Sequence, residues 1–500
     1  MTRILDTIRH YSVVAANDTA LAGRTRSLTY AAMYAEVEIL GKRLKILGSR
    51  VIGLHLDNGI DWVLIDLATQ YAGISLVPIP LFFTAEQIQH VIDTSGIDCV
   101  ISFNEDIVGE LSAEYSAIKI SDDAWCYSLR KNNAFVTTRQ VNAARITFTS
   151  GTTGNPKGVC LSNKCMAEVA GSLVKTTASI GTRRHLCLLP LATLLENIAG
   201  IYAPLLKGAS CYVPSLSETG LTGSTWFDVY ALLDCLDYFR PHSIILLPQM
   251  LLALVDVIGS GATFPASLKF IAVGGGKVSP NIIKKARASG LPVHEGYGLS
   301  ECGSVVTLNT PQSDRVGSVG RVLPHVEIRI APDNEIMIRG SVMLGYLNEA
   351  PRLDNDWLAS GDRGYLDEDG FLYLNGRKKN IFISSFGRNI SPEWPESELV
   401  ATGVIQQCVV FGEAREANCA VIVPADDAAD EILIDEAISL ANRNLPDYAK
   451  IHFRVRAKEN FHAGNGLATA NGRPLRDRIY SIYARDINNC YKKPLLAGSA

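Results

Sequence analysis

The 500 residues carry a net charge of −4, 47% hydrophobic side chains and eleven cysteines. A chain this long exceeds one compact core, so two or more domains are expected. The mild acidity argues against a nucleic-acid partner, which needs a basic stripe. The cysteines form neither a CxxC pair nor a zinc-spaced cluster, so reduced thiols are expected.

The first residues, MTRILDTIRHYSVV, lack the long apolar core of a signal peptide. No apolar run reaches the roughly 18–20 residues that would span a bilayer, so a cytoplasmic location is expected. Along the chain, short β-rich runs alternate with helical stretches. VIGLHL (Val51–Leu56) reads as a buried strand, Asp61–Tyr71 as a helix, and SLVPIP (Ser75–Pro80) and CVISF (Cys99–Phe103) as further strands. SIILLP (Ser243–Pro248) and KFIAVGGG (Lys269–Gly276) repeat the pattern. Such alternation predicts parallel sheets packed between helices. From about Val326 the texture becomes short alternating runs with Asp-Asn and Asp-Gly turns, which predicts a local antiparallel region. Past Arg377 a further unit begins. VIQQCVVFG and NCAVIVPA read as strands, and Asp430–Asn444 has helical spacing, so a small α+β domain is expected after a joint near Gly376–Asn380.

The segment richest in chemistry is ITFTSGTTGNPKGVCLS, Ile146–Ser162. A β run feeds a loop dense in Ser, Thr and Gly. Glycines let several N–H groups converge on one anion, and the hydroxyls of Thr149, Ser150, Thr152 and Thr153 add donors. Lys157 brings a mobile cation for a polyphosphate. Because Gly158 follows the lysine, the Walker pattern does not apply.

TSGTTGNPKG resembles the signature of the adenylate-forming superfamily, which includes acyl-CoA synthetases, adenylation domains of peptide synthetases and beetle luciferases. Further motifs follow in the family's order over nearly the whole chain. The resemblance implies an α/β fold. It has a large N-terminal domain (1–376) of stacked α/β sheets plus a small β-barrel, a hinge (377–380) and a small mobile C-terminal α+β cap (381–500). It also implies ATP, Mg2+ and a pantetheine thiol, carried by coenzyme A or by an acyl carrier protein. Ser150, Gly151, Thr152, Thr153 and Gly154 would cradle the phosphates. In VGGGKVSP and HEGYGLSE, the resemblance assigns Gly274, Gly275, Gly276, Glu295, Gly296 and Tyr297 to the nucleotide, with Tyr297 on adenine. Gly298 and Leu299 would border the acid pocket. Ser300, together with Thr149 and Lys157, would face the phosphates, and Glu301 would hold the metal. A carboxylate is the oxygen ligand that hard Mg2+ prefers. Asp362 resembles the ribose aspartate, and Arg377 a second ribose or phosphate contact. Lys379 falls at the hinge, and Gly387 lies in a loop resembling the one that lines the pantetheine tunnel. Glu393, Glu396 and Glu398 read as a solvated helix face.

Two departures stand out. Relatives carry a catalytic lysine near the C-terminus. Here Arg473 occupies its place by alignment, with Arg476 as a second candidate, and no lysine occurs between Lys458 and Lys492. Many relatives carry His or another aromatic where Thr193 stands; in them that position gates the pocket, so its loss is expected to open the pocket or change what guards it. Leu194–Leu206 is expected to form a helix along that pocket. Leu195 falls where amino-acid-activating relatives place an aspartate, which disfavours an α-amino acid. Gly200, Ala203, Leu299 and Val305 fit an apolar wall. An aliphatic or fatty acid is the first expectation. The alternatives are an enzyme that loads a carrier protein and a nucleotide-binding protein with little catalysis.

Overall fold

The computed structural model describes residues 2–103, 115–119, 125–129, 143–149, 156–222, 226–353, 355–426, 428–469 and 472–492. Two large sheets dominate the N-terminal part. The first has eight strands. Its centre is the parallel set Arg145–Thr149, Ser75–Pro78, Val51–His55 and Cys99–Ser102, and Lys157–Leu161 folds back antiparallel on Arg145–Thr149. The second has nine strands. Arg184–Leu186, Ser243–Leu246, Phe270–Val273 and Val293–Tyr297 run parallel at its centre.

The strands expected around residues 51, 75, 99, 243 and 270 all form, each ending one to three residues earlier than its apolar run. The helix Ile60–Ala72 is buried along nearly its whole length and stops where Gly73 turns left-handed at φ 74°. Within it, Asp66 is fully buried and forms an ion pair with the equally buried Arg145. Tyr202 and Asn197 also donate to Asp66, at 2.7 and 3.0 Å. Arg145 opens the strand that leads into the Ser/Thr/Gly loop, so this network fixes the root of that loop to the helix Ile60–Ala72 and to the segment Glu196–Tyr202.

The stretch expected as one helix over Leu194–Leu206 is instead a π-helical segment, Glu196–Tyr202, followed by a short α-helix, Ala203–Leu206. The wider turn has a local cause. Glu196 is fully buried and accepts from His185 Nε2 at 2.9 Å and from the Leu189 amide at 3.0 Å. A side chain at Gly200 would collide with it, since a Cβ there would lie 2.1 Å from Glu196 Oε1. Gly200 therefore makes room for the His185–Glu196 contact.

The expected small barrel is a four-stranded antiparallel sheet in the order Val326–Ile330, Glu335–Gly340, Leu358–Leu366, Leu372–Arg377. The C-terminal domain has a three-stranded sheet, Ile405–Phe411, Asn418–Pro424 and Ile451–Arg456, with helices Glu393–Val400, Glu431–Asn442 and Arg476–Cys490. Against the expectation of reduced thiols throughout, Cys99 and Cys126 on adjacent antiparallel strands form a disulfide, leaving nine free cysteines. Among the described residues, no helix is long and apolar enough to cross a membrane.

Candidate active site

Antiparallel pairing sets Thr149 opposite Lys157, at the two ends of the Ser/Thr/Gly loop. Ser150, Gly151, Thr152, Thr153 and Gly154 lie outside the described residues. The exposed Lys157 ammonium sits 5.0 Å above the ring of Tyr346 and 3.2 Å from Glu349. Tyr346 belongs to the edge strand paired with Lys157–Leu161, and its hydroxyl donates to Glu301 at 2.8 Å. One tyrosine thus joins the lysine that follows the loop to the carboxylate of the HEGYGLSE segment. Sequence reasoning missed Tyr346, because nothing in its neighbours marks it and only strand pairing brings it there.

Ser300, the residue before Glu301, lines a cavity of about 210 Å3. Gly274, Gly275, Gly296, Tyr297, Gly298, Leu299 and Ser300 form one end, and Leu195 lies on its wall. Gly276, Thr193 and Gly200 are not on the wall. Thr193 donates its hydroxyl to the Pro190 carbonyl at 2.6 Å, a local turn bond. At Gly298 the chain passes so close to itself that a Cβ would lie 1.7 Å from the Ser304 carbonyl oxygen, which rules out any side chain. Glu295 is buried beside this end. Burial pushes its carboxyl up to about 8, with Lys277 pulling it back.

Beside Tyr297, Asp362 and Arg377 face each other across adjacent strands. Arg377 Nε lies 2.9 Å from Asp362 Oδ1, and the Tyr297 hydroxyl donates to Oδ2 at 2.7 Å. Burial, reinforced by Asp362, holds the Tyr297 phenol well above its ordinary range. Arg473, from the C-terminal domain, approaches the same group. Crowding by protein and the charge of Arg377 hold its guanidinium below the usual arginine value, while Asp362 and Glu393 act in the opposite direction. Its side chain is exposed. Arg476 is committed elsewhere, donating to Glu396 at 2.7 Å within its own domain. Lys379 is exposed close to Arg377 and Arg473, and Gly387 sits in an exposed turn next to Phe386.

The solvated helix face expected for Glu393, Glu396 and Glu398 is not what forms. Glu393 accepts from Asn380 and Ser391, Glu396 from Arg476, and Glu398 is buried. Glu398 accepts from Ser279 at 2.9 Å and Asn281 at 3.4 Å in the large domain, and from Asn444 at 3.1 Å in its own. Nearby, Lys277 lies 5.8 Å above the Trp394 ring.

Residues 9–347 match the family described as AMP-binding enzyme. The chain belongs to this family. Residues 379–494 match the AMP-binding enzyme C-terminal domain. As an adenylate-forming ligase, the chain is 27% identical over 547 residues to the long-chain-fatty-acid–CoA ligase FadD15 of Mycobacterium bovis, covering 89% of this chain and 88% of that one. It is 26% identical to the 2-succinylbenzoate–CoA ligase of Bacillus mycoides, covering 83% and 88%. In fold it resembles the anthranilate CoA ligase AuaEII in complex with anthranoyl-AMP, with TM-score 0.78 and 19% identity over 96% of this chain and 97% of that one. It also resembles o-succinylbenzoate CoA synthetase from Bacillus subtilis, with TM-score 0.74 and 22% identity over 96% and 98%.

Proposed function

We propose that this enzyme uses ATP to activate a carboxylic acid as its acyl-adenylate and then transfers the acyl group to the thiol of coenzyme A. The observation that carries the reading is the junction at Tyr346. There one tyrosine ties the lysine after the hydroxyl-rich loop to the carboxylate of Glu301, whose chain neighbour Ser300 lines an apolar cavity.

In this reading the acid lies in the cavity, its carboxylate near Ser300. The loop 149–158 holds the polyphosphate, Tyr297 and the glycines around it hold adenine, and Asp362 and Arg377 hold the ribose. The protein supplies no covalent nucleophile. It positions two anions in line and neutralises charge on the phosphate oxygens. Glu301 suits Mg2+, because a carboxylate beside a polyphosphate cradle is the hard oxygen ligand that ion takes. The metal would add positive charge at the leaving pyrophosphate. Arg473 stands in for the family lysine between acid and α-phosphate. We place the hinge at 377–380, between domains 1–376 and 381–500, with the Gly387 turn approaching the thiol after the small domain rotates.

The apolar wall and the fatty-acid–CoA ligase relative support an acid with an aliphatic body. The ring of Phe270 on the wall and the 2-succinylbenzoate–CoA ligase relative support an aryl body as the second reading. The deciding assay incubates the protein with ATP, Mg2+ and a panel of aliphatic and aryl acids. Pyrophosphate and thioester are followed with and without coenzyme A. CoA-dependent thioester supports the proposal. Adenylate discharged only on a carrier protein would reassign the thiol. ATP binding without pyrophosphate from any acid would sink it.

Two variants probe the parts. Tyr346→Phe removes the hydroxyl that orients Glu301, and the Mg2+ concentration needed for half-maximal pyrophosphate release should rise about 10-fold or more. An unshifted Mg2+ titration would detach Tyr346 from the metal. Lys379→Pro stiffens the hinge and should slow thioester formation more than adenylation. Equal loss of both half-reactions would count against a turning domain.

A further inference from the structure

The far end of the acid cavity is polar. Strand direction shows which end this is. Gly274 follows the C-terminal end of Phe270–Val273, whereas Phe270 lies at its start, level with Ser243, which in turn pairs with His185. Four residues of strand separate Gly274 from Phe270, or about 13 Å. At that remote end the cavity is bounded by Thr182, His185, Lys207 and Ser243.

These side chains differ in how well they are satisfied. Ser243 bonds His185 Nδ1 at 3.0 Å, and His185 Nε2 bonds Glu196, so this set is closed on itself. Lys207 is different. Its ammonium donates to the Thr182 hydroxyl, but no carboxylate pairs with it among the described residues. Arg183 adds a like charge, with Cys211 acting in the opposite sense, and burial leads in pushing the amine down to about 8. A half-buried cation against an apolar cavity is costly without an anion, and a charge-assisted bond to a carboxylate offsets that cost. A purely aliphatic tail would end against an ammonium it cannot satisfy.

We propose that the acid this enzyme prefers carries a second carboxylate at the end remote from the reacting one, and that Lys207 with Thr182 holds it. This rests on the acid-activating reading above and names the substrate class within it. Lys207 is then a specificity residue at the end of the cavity remote from the adenylate.

The test uses the full-length protein and pairs of acids matched in length, straight-chain and phenyl-substituted, each with and without a terminal carboxylate. kcat/KM for pyrophosphate release is measured for wild type, Lys207→Met and Lys207→Arg. Wild type should favour the dicarboxylate of at least one pair by 10-fold or more. Lys207→Met should reduce that ratio at least 10-fold, and Lys207→Arg should largely restore it. ATP binding, measured separately, confirms that each variant is folded. A wild-type preference for the monocarboxylates overturns the inference and leaves acid activation standing, as does a ratio that Lys207→Met leaves unchanged. Silence with every acid while ATP still binds overturns acid activation itself, and this inference with it.

Discussion

Arg473→Ala should lower the rate of pyrophosphate release by about 10²–10³-fold, the usual loss when one aimed charge or donor is removed from a developing negative centre. The expectation rests on charge. Arg473 feels the charges of Asp362 and Arg377, and Arg476 cannot substitute because it is bound to Glu396. The effect should be selective. Supplied with preformed acyl-adenylate and coenzyme A, the variant should still make thioester at close to the wild-type rate. Arg473→Lys should recover much of the loss, since it restores a cation, although a point charge does not reproduce the planar fork. Unchanged pyrophosphate release in the alanine variant would remove Arg473 from the first half-reaction.

The largest effect on stability is expected at the buried pair Asp66–Arg145. Removing one partner strands a charge in the core, so Asp66→Ala or Arg145→Ala should cost about 3–5 kcal/mol. Urea unfolding of the N-terminal transition measures this directly. Replacing both partners together by Leu and Met should cost far less, because neither leaves an uncompensated charge. If the double replacement is as damaging as either single one, the hydrogen bonds from Tyr202 and Asn197 carry the weight instead of the ion pair.

Much of this architecture was legible in the residues. The apolar runs announced the parallel strands, and TSGTTGNPKG with HEGYGLSE announced a nucleotide enzyme before any coordinates. What escaped depends on contacts between distant segments. Tyr346 matters because its edge strand pairs beside Lys157, and Lys207 because the end of the helix Ala203–Leu206 sets it against Thr182 on the wall of a cavity. The π-helical turn at Glu196 arises from a histidine eleven residues earlier in the chain, to which a helical pattern is blind. Glu398 read as a surface carboxylate, yet two of its three partners, Ser279 and Asn281, sit more than a hundred positions away. Cys99 and Cys126 gave no motif, because cross-strand neighbours need no fixed spacing. Thr193 and Gly200 lie in local contacts that no residue pattern announces, a turn bond and a gap kept open for Glu196.

The carboxylate of Glu398 is shared between Ser279 and Asn281 on one side of the cleft and Asn444 on the other. If the small domain swings during turnover, water can take the place of the serine and the asparagine within each cycle, whereas greasy partners would weld the halves shut. In that case the junction would serve as a clasp that defines a resting pose and reopens by exchanging these bonds for water.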